Sequence, residues 1–198
     1  TQTTAYEIGV RLVGSEMCIR DRDKTKSFLK EVSSFNPYWI EEPVDGENIS
    51  LLTEIKNAFN MKVVTGEKQS GLVHFRELIH RNAVDIFNPD ISGMGGLIDI
   101  IQISNEASNN GISISPHCWN SMSVSASAML HVCSSISNSE KAEIFPDYIN
   151  FSKKFCELPF DIIDNKAHIN KSAGLGIVVY ESILSELSIY SLDEKSND

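Results

Sequence analysis

Five ionisable residues recur at the same kind of place along this chain. Glu41, Glu67, Asp90, His117 and Glu143 stand at or near the carboxyl ends of five short apolar runs. Two carboxylates converging on one spot suit a hard cation such as Mg²⁺, which takes oxygen ligands and uses few protein carboxylates. A histidine beside an aspartate makes a general acid/base pair, because the carboxylate fixes the imidazole tautomer and raises its basicity. A cation next to such a pair points to proton abstraction beside a carboxylate, with the cation stabilising the enediolate that results. Each residue alone also has a plainer reading. A single strand-end glutamate reads as a solvated loop residue, and a single histidine as a hydrogen-bonded structural one.

The elements that would position these residues are legible in the hydrophobic pattern. Lys24–Ser34 is predicted helical, with Phe28, Leu29 and Val32 on one face. Tyr38–Ile40 is a predicted strand, ended by Glu41-Glu42-Pro43, because proline halts the ladder. Ser50–Phe59 carries Leu51, Leu52, Ile55 and Phe59 at helical spacing, and Lys62–Thr65 is a strand ended by Gly66-Glu67. The unit then repeats with a helix over Val73–Arg81 and a strand over Val84–Phe87, ended by Asn88-Pro89-Asp90. Gly95-Gly96 opens a helix that Asn110-Gly111 stops. A strand over Ile112–Ser115, a small-residue helix over Ser121–Cys133 and a strand over Ala142–Phe145 complete the series. After these, Leu158–Ile163 and Ala167–Ile169 form a strand pair joined by Asp164-Asn165, and a helix follows near Glu181–Leu187.

Strands alternating with helices at this regularity imply βαβ units and a parallel sheet. Five strands with polar carboxyl ends suit part of a (β/α) barrel, whose active site sits at that end. A doubly wound open sheet is the alternative, weakened by the lack of a GxGxxG after the first strand. Gly95-Gly96 reads either as phosphate capture at a helix terminus or as tight strand-to-helix packing. The second reading is preferred, since no lysine or hydroxyl residue completes a phosphate loop.

Taken in order, WIEEP at Trp39–Pro43, TGE at Thr65–Glu67, NPDISGMGG at Asn88–Gly96, SPHCW at Ser115–Trp119 and EIFPDY at Glu143–Tyr148 resemble the successive strand ends of the mandelate racemase group of the enolase superfamily. AGLG at Ala173–Gly176 is similar to that family's PGLG turn. The resemblance covers about Asp23 to Tyr190 and implies the carboxy-terminal half of an enolase-like modified (β/α)7β barrel. It makes Glu41 and Glu67 the second and third Mg²⁺ ligands, with Glu42 a neighbour. It makes Asp90 and His117 an acid/base dyad, where the muconate-cycloisomerase group would use a lysine at the strand that ends in Asp90. Glu143 would hydrogen-bond the substrate carboxylate or the enediolate oxygen. The implied parent enzyme is a Mg²⁺-dependent sugar-acid dehydratase. A racemase or epimerase of a 2-hydroxy acid is the alternative, and an inactive fragment a third reading. The implied substrate is a small carboxylate, and the parent is expected to be a homo-oligomer.

The departures from that pattern are also informative. The family's first metal ligand, an aspartate, would align with Ser15, and its KxK base would precede residue 1. Lys24-Thr25-Lys26 matches KxK by letters only and reads as the solvated face of a helix. The string GSEMCIRDR at Gly14–Arg22 resembles translated sequencing-adaptor sequence, so Thr1 to Arg22 is read as an artefact or an unstructured arm. The chain thus divides into an arm over 1–22, a barrel domain over 23–190 and a polar tail over 191–198. His74, His80, His131 and His168 receive no role, Lys68 reads as a surface lysine within reach of substrate, and Trp119 reads equally as pocket lining or core.

Charge and composition bound the remainder. The net charge of −10 argues against a nucleic-acid partner, which would favour a basic face. No apolar run approaches the roughly 20 residues needed to span a bilayer. Cys18, Cys118, Cys133 and Cys156 show no CxxC spacing, so neither a zinc site nor a redox motif is supported. Scattered cysteines without a secretory signal suggest a reducing compartment, the cytoplasm.

Overall fold

The computed structural model describes residues 6–7, 22–118 and 122–187. Two short elements lead in, strand β1 (Tyr6–Glu7) and helix α1 (Arg22–Ser33). Four βα units follow. They are β2 (Trp39–Glu41) with α2 (Ile49–Ala58), β3 (Lys62–Thr65) with α3 (Leu72–His80), β4 (Ile86–Phe87) with α4 (Ile91–Met94) and α5 (Leu97–Ser108), and β5 (Ser113–Ile114) with α6 (Ser123–Ser135). The carboxy-terminal part holds α7 (Pro146–Ser152), β6 (Cys156–Glu157), β7 (Phe160–Ile163), β8 (Lys166–Ile169), β9 (Val178–Val179) and α8 (Glu181–Leu187).

Strands β2 to β5 form one parallel sheet in sequence order. A doubly wound sheet reverses its strand order at a switch point. Among the described residues this sheet has no reversal, so it is an arc of a barrel. Because neighbours are parallel and consecutive, every carboxyl end lies on one edge. The register pairs Glu41 with Val64, Thr65 with Phe87, and Phe87 with Ile114.

The helices form where the pattern predicts, for identifiable reasons. Asn48 caps α2 by accepting a hydrogen bond from the Leu51 amide at 3.2 Å, and Leu51, Leu52 and Ile55 turn inward. Helix α5 buries Ile100, Ile103, Ser104 and Ala107, a stripe at three- and four-residue spacing. Helix α6 is buried almost all round, with Ala126, Ser127, Ala128, Met129 and Leu130 inside. The core between sheet and helices includes Phe75 and Phe87, both fully buried, which meet edge to face with centroids 5.0 Å apart. The β7–β8 hairpin turns at Asp164 and Asn165, both at positive φ, the two-residue geometry that matches strand twist.

Two expectations need correction. Ala142–Phe145 is not a strand. The segment reaches the sheet earlier, where the Ile114 amide donates to the Asn138 carbonyl at 2.9 Å and the Glu140 amide donates to the Ile114 carbonyl at 2.8 Å. Ala142 and Ile144 are buried, and Ala142 makes a single β-bridge without extending into a strand. The parallel sheet therefore has four described strands, not five. Helix α4 was not anticipated. It is one turn long, too short for any hydrophobic period to show. Ser15, Cys18, Trp119 and the tail Asp193–Asp198 lie outside the described residues.

Candidate active site

The structure brings Asp90, His117, Glu67 and Glu143 into one cluster, and Glu41 ends the strand β2 of the same sheet. Asp90 follows β4 and caps α4, its Oδ1 accepting from the Ser92 amide at 2.7 Å and the Gly93 amide at 3.3 Å. Its second oxygen, Oδ2, lies 3.0 Å from His117 Nδ1. The two backbones meet as well. Asp90 and His117 form a parallel bridge that extends the β4–β5 ladder, and the His117 amide donates to the Pro89 carbonyl at 3.2 Å. An ionised carboxylate only accepts hydrogen bonds, so Nδ1 carries the proton and Nε2 faces away from Asp90. Nε2 points at two further acids, Glu67 Oε2 at 3.3 Å and Glu143 Oε2 at 3.9 Å. Glu143 is held by the Cys118 amide at 2.8 Å. Its segment is tied to β5 by the Ser115 hydroxyl, which donates to the Lys141 carbonyl at 2.8 Å.

This surrounding sets the proton affinities. Burial alone would lower the basicity of His117. The hydrogen bond to Asp90 and the charges of Glu67, Glu143 and Asp90 outweigh it and hold the imidazole above its ordinary range. Asp90 is held below the ordinary carboxylate range, first by its hydrogen bond to His117 and then by the Ser92 and Gly93 amides, against an opposing effect of burial. His117 thus holds its proton more tightly than a free imidazole does, with Nε2 toward the mouth.

Glu41 ends β2, and its Oε1 accepts from Asn88 Nδ2 at 3.0 Å. The adjacent Glu42 takes a positive φ of 38°, a kink just past the strand. Its side chain pairs with Lys68 and accepts from the Thr65 hydroxyl at 3.4 Å. Lys68 also lies 3.6 Å from Glu67. It is an exposed lysine, as the sequence reading had it, and these ion pairs hold it at the rim. Gly66 lets the chain turn between β3 and Glu67. It sits at φ +141°, and a Cβ there would lie 2.9 Å from the Phe75 ring and 3.2 Å from the Asn88 amide nitrogen.

Glu67, Asp90 and Glu143 place three carboxylates around the His117 imidazole, and Glu41 adds a fourth at the end of β2. Such an excess of hard oxygen donors and negative charge fits a divalent cation such as Mg²⁺. Among the described residues, no three acids, histidines or cysteines converge closely enough to hold a metal by themselves. Glu41 and Glu67 would be two members of a larger donor set. Asn88, the direct partner of Glu41, received no role from the sequence. The signal available was its place in Asn88-Pro89-Asp90, one residue past a strand.

Comparison with known proteins bears on this geometry. Residues 14–183 match the family described as Enolase C-terminal domain-like. The chain is 25% identical over 186 residues to an N-succinyl-L-Arg/Lys racemase of Bacillus cereus, covering 90% of this chain and 50% of that protein. Other curated relatives are sugar-acid dehydratases and a cycloisomerase. A crystal structure of an enolase from environmental shotgun sequencing of the Sargasso Sea superposes with a TM-score of 0.86 at 91% identity, covering 91% of this chain and 48% of that one. An L-talarate dehydratase from Polaromonas sp. JS666, crystallised with Mg and L-glucarate, superposes with a TM-score of 0.72 at 21% identity over 83% of this chain and 43% of that one. The chain spans about half the length of the racemase and of both crystal structures.

Proposed function

The chain belongs to the Enolase C-terminal domain-like family of the enolase superfamily, and from that premise we propose that it forms the acid half of the active site of a Mg²⁺-dependent sugar-acid dehydratase. The observation that carries this reading is His117, gripped by Asp90 at Nδ1 and bracketed by Glu67 and Glu143 at Nε2.

The dehydration removes a proton from the carbon next to the substrate carboxylate and a hydroxyl from the carbon beyond it. His117 supplies the second half. Its Nε2–H donates to the departing hydroxyl as the C–O bond breaks, so water leaves and the imidazole becomes neutral. Asp90 keeps Nδ1 protonated throughout and holds the ring plane, which favours the imidazolium before the transfer and limits the ring's freedom after it. Glu143, fixed by the Cys118 amide, would hydrogen-bond the substrate carboxylate or the enediolate oxygen. Mg²⁺, held by Glu41 and Glu67 among these residues, would supply positive charge opposite the anion left when the α-proton departs. The one lysine described at the rim, Lys68, is committed to Glu42 and Glu67, so no described lysine is placed as the α-proton base. The 198-residue chain alone is therefore expected not to turn over.

A second reading, racemisation of a 2-hydroxy acid, draws support from the racemase match across 90% of the chain. It needs His117 to act as a base in one direction and so to begin that direction as the neutral imidazole. Incubating the full-length parent with a panel of sugar acids in D₂O separates the two. A 2-keto-3-deoxy acid product supports dehydration. Deuterium at the α-carbon without a keto product supports racemisation and overturns the dehydratase reading.

A further inference from the structure

We infer that Asn88 is a positioning residue that aims the Glu41 carboxylate, an inference that rests on the proposed role of Glu41 as a cation ligand. Three features of Asn88 support it. Its side chain is almost wholly buried, with 4% of the residue exposed, yet only its nitrogen is paired. Nδ2 donates to Glu41 Oε1 at 3.0 Å, while Oδ1 is buried and has no donor among the described residues. A buried amide satisfied at one end carries an uncompensated desolvation cost, and a residue kept only for packing would avoid it.

The backbone of Asn88 is also fixed from three sides. Its amide donates to the Thr65 carbonyl at 3.2 Å, and Gly66 packs directly against its amide nitrogen. Pro89 follows and confines Asn88 to extended conformations. On the preceding residue, Phe87 turns into the core against Phe75, so strand alternation sends the Asn88 side chain to the opposite face. There it reaches Glu41, which ends β2, although β3 lies between β2 and β4 in the sheet. Contacts between alternate strands are what the layered interior of a (β/α) barrel produces.

The amide also has the appropriate chemistry. It holds one carboxylate oxygen and so fixes the plane of the carboxylate. It brings no charge of its own, unlike Lys68 on Glu42. A cation at Glu41 would therefore meet a carboxylate oriented by a neutral amide. Partners of ligating carboxylates contribute to metal affinity in this way, and their loss weakens binding by about 10–100-fold.

The test uses the whole 198-residue chain, ¹⁵N-labelled, with Mn²⁺ alone as the probe. Paramagnetic broadening of the Glu41 and Glu67 amide resonances is followed against Mn²⁺ concentration, and the melting temperature is measured beside it. Asn88→Leu removes both amide atoms at similar size, and Asn88→Ala covers the case in which leucine does not fit. The expected result is about a 10–100-fold rise in the Mn²⁺ concentration for half-broadening, with a melting temperature equal to or above that of the parent sequence. Unchanged Mn²⁺ response in a folded variant overturns the inference and leaves the role of Glu41 standing. Weakened binding that only accompanies a matching loss of stability assigns Asn88 to structure and also overturns it. No broadening in the parent sequence at millimolar Mn²⁺ defeats the cation role of Glu41 and Glu67, and this inference with it.

Discussion

Gly66 links the fold to the site and allows a quantitative test. It sits at φ +141°, and a Cβ there would meet the Phe75 ring at 2.9 Å and the Asn88 backbone nitrogen at 3.2 Å. Neither neighbour can give easily, because Phe75 is fully buried edge to face against Phe87 and Asn88 is held by the Thr65 carbonyl. Gly66→Ala therefore meets two costs, about 1–3 kcal/mol for the backbone conformation and about 1–3 kcal/mol for overpacking. Gly71→Ala is the control. Gly71 lies at φ 70°, ψ 170°, a region essentially reserved for glycine, but a Cβ there meets nothing within 4 Å. It should lose only the backbone cost, again about 1–3 kcal/mol. The difference between the two variants is the packing contribution, so Gly66→Ala should melt lower than Gly71→Ala by about 2–12 °C, at 2–4 °C per kcal/mol for a chain of this size. Calorimetry or a thermal scan by circular dichroism measures this directly. Equal losses in the two variants would refute the claim that Gly66 is required by close packing under the site.

Three further outcomes follow from the same geometry. Asp90→Asn keeps the cap on α4 but removes the charge facing His117. Its destabilisation relative to the parent sequence should be roughly 1.5–3 kcal/mol near pH 5.5, as for a hydrogen bond to a charged group. The sign follows from the two shifts. The lowered Asp90 contributes stability above its unfolded value of about 3.9 and loses it as pH falls through the folded value, whereas the raised His117 contributes below about 6.5 and loses it as pH rises through its folded value. Urea midpoints at pH 5.5 and pH 9 should show a smaller difference at pH 9, and a difference that grows with pH contradicts the assignment. In the full-length parent, His117→Asn should lower turnover on its sugar acid by about 10²–10⁴-fold while leaving the fold intact by circular dichroism, and near-parental turnover would remove His117 from the reaction. Cys133 is fully buried, and burial pushes its thiol up to about 11. Iodoacetamide at pH 8 followed by peptide mapping should leave it unmodified until urea unfolds the chain.

Much of the fold was legible in the sequence, and what escaped it did so for physical reasons. Strand β3 was read with the limits the structure gives it, because Val63 and Val64 are both buried and Gly66-Glu67 marks its end. The resemblance to the mandelate racemase group implied the pairing of Asp90 with His117, and aligned parallel strand ends bring the two together across 27 residues. What escaped was set by single contacts. The Asn138 side chain donates to the carbonyls of Ser104 and Ile112 and thereby docks its segment ahead of the apolar run at Ala142–Phe145. Strands β6 and β9 pair over only two residues each, too few to show alternation. The Asn88–Glu41 contact joins two non-adjacent strands, and a one-dimensional pattern carries no trace of it.

The direction of the polar side chains is fixed by their apolar neighbours. In a strand, alternate residues face opposite sides, so slipping the register of β2 by one residue would turn Glu41 away from the mouth. Ile40 packs against the core between Trp39 and Glu41, which commits Glu41 to the other face. Phe87 does the same for Asn88, and fully buried Ile114, two residues before the mouth begins at Pro116, anchors the strand that leads to His117. Substituting one of these apolar residues with another of similar volume should leave the mouth intact, whereas a polar residue there would shift the register and scatter the site without touching any residue in it. The cluster of like charges at the mouth is costly to assemble by itself, and the buried apolar residues one position away are what hold it together.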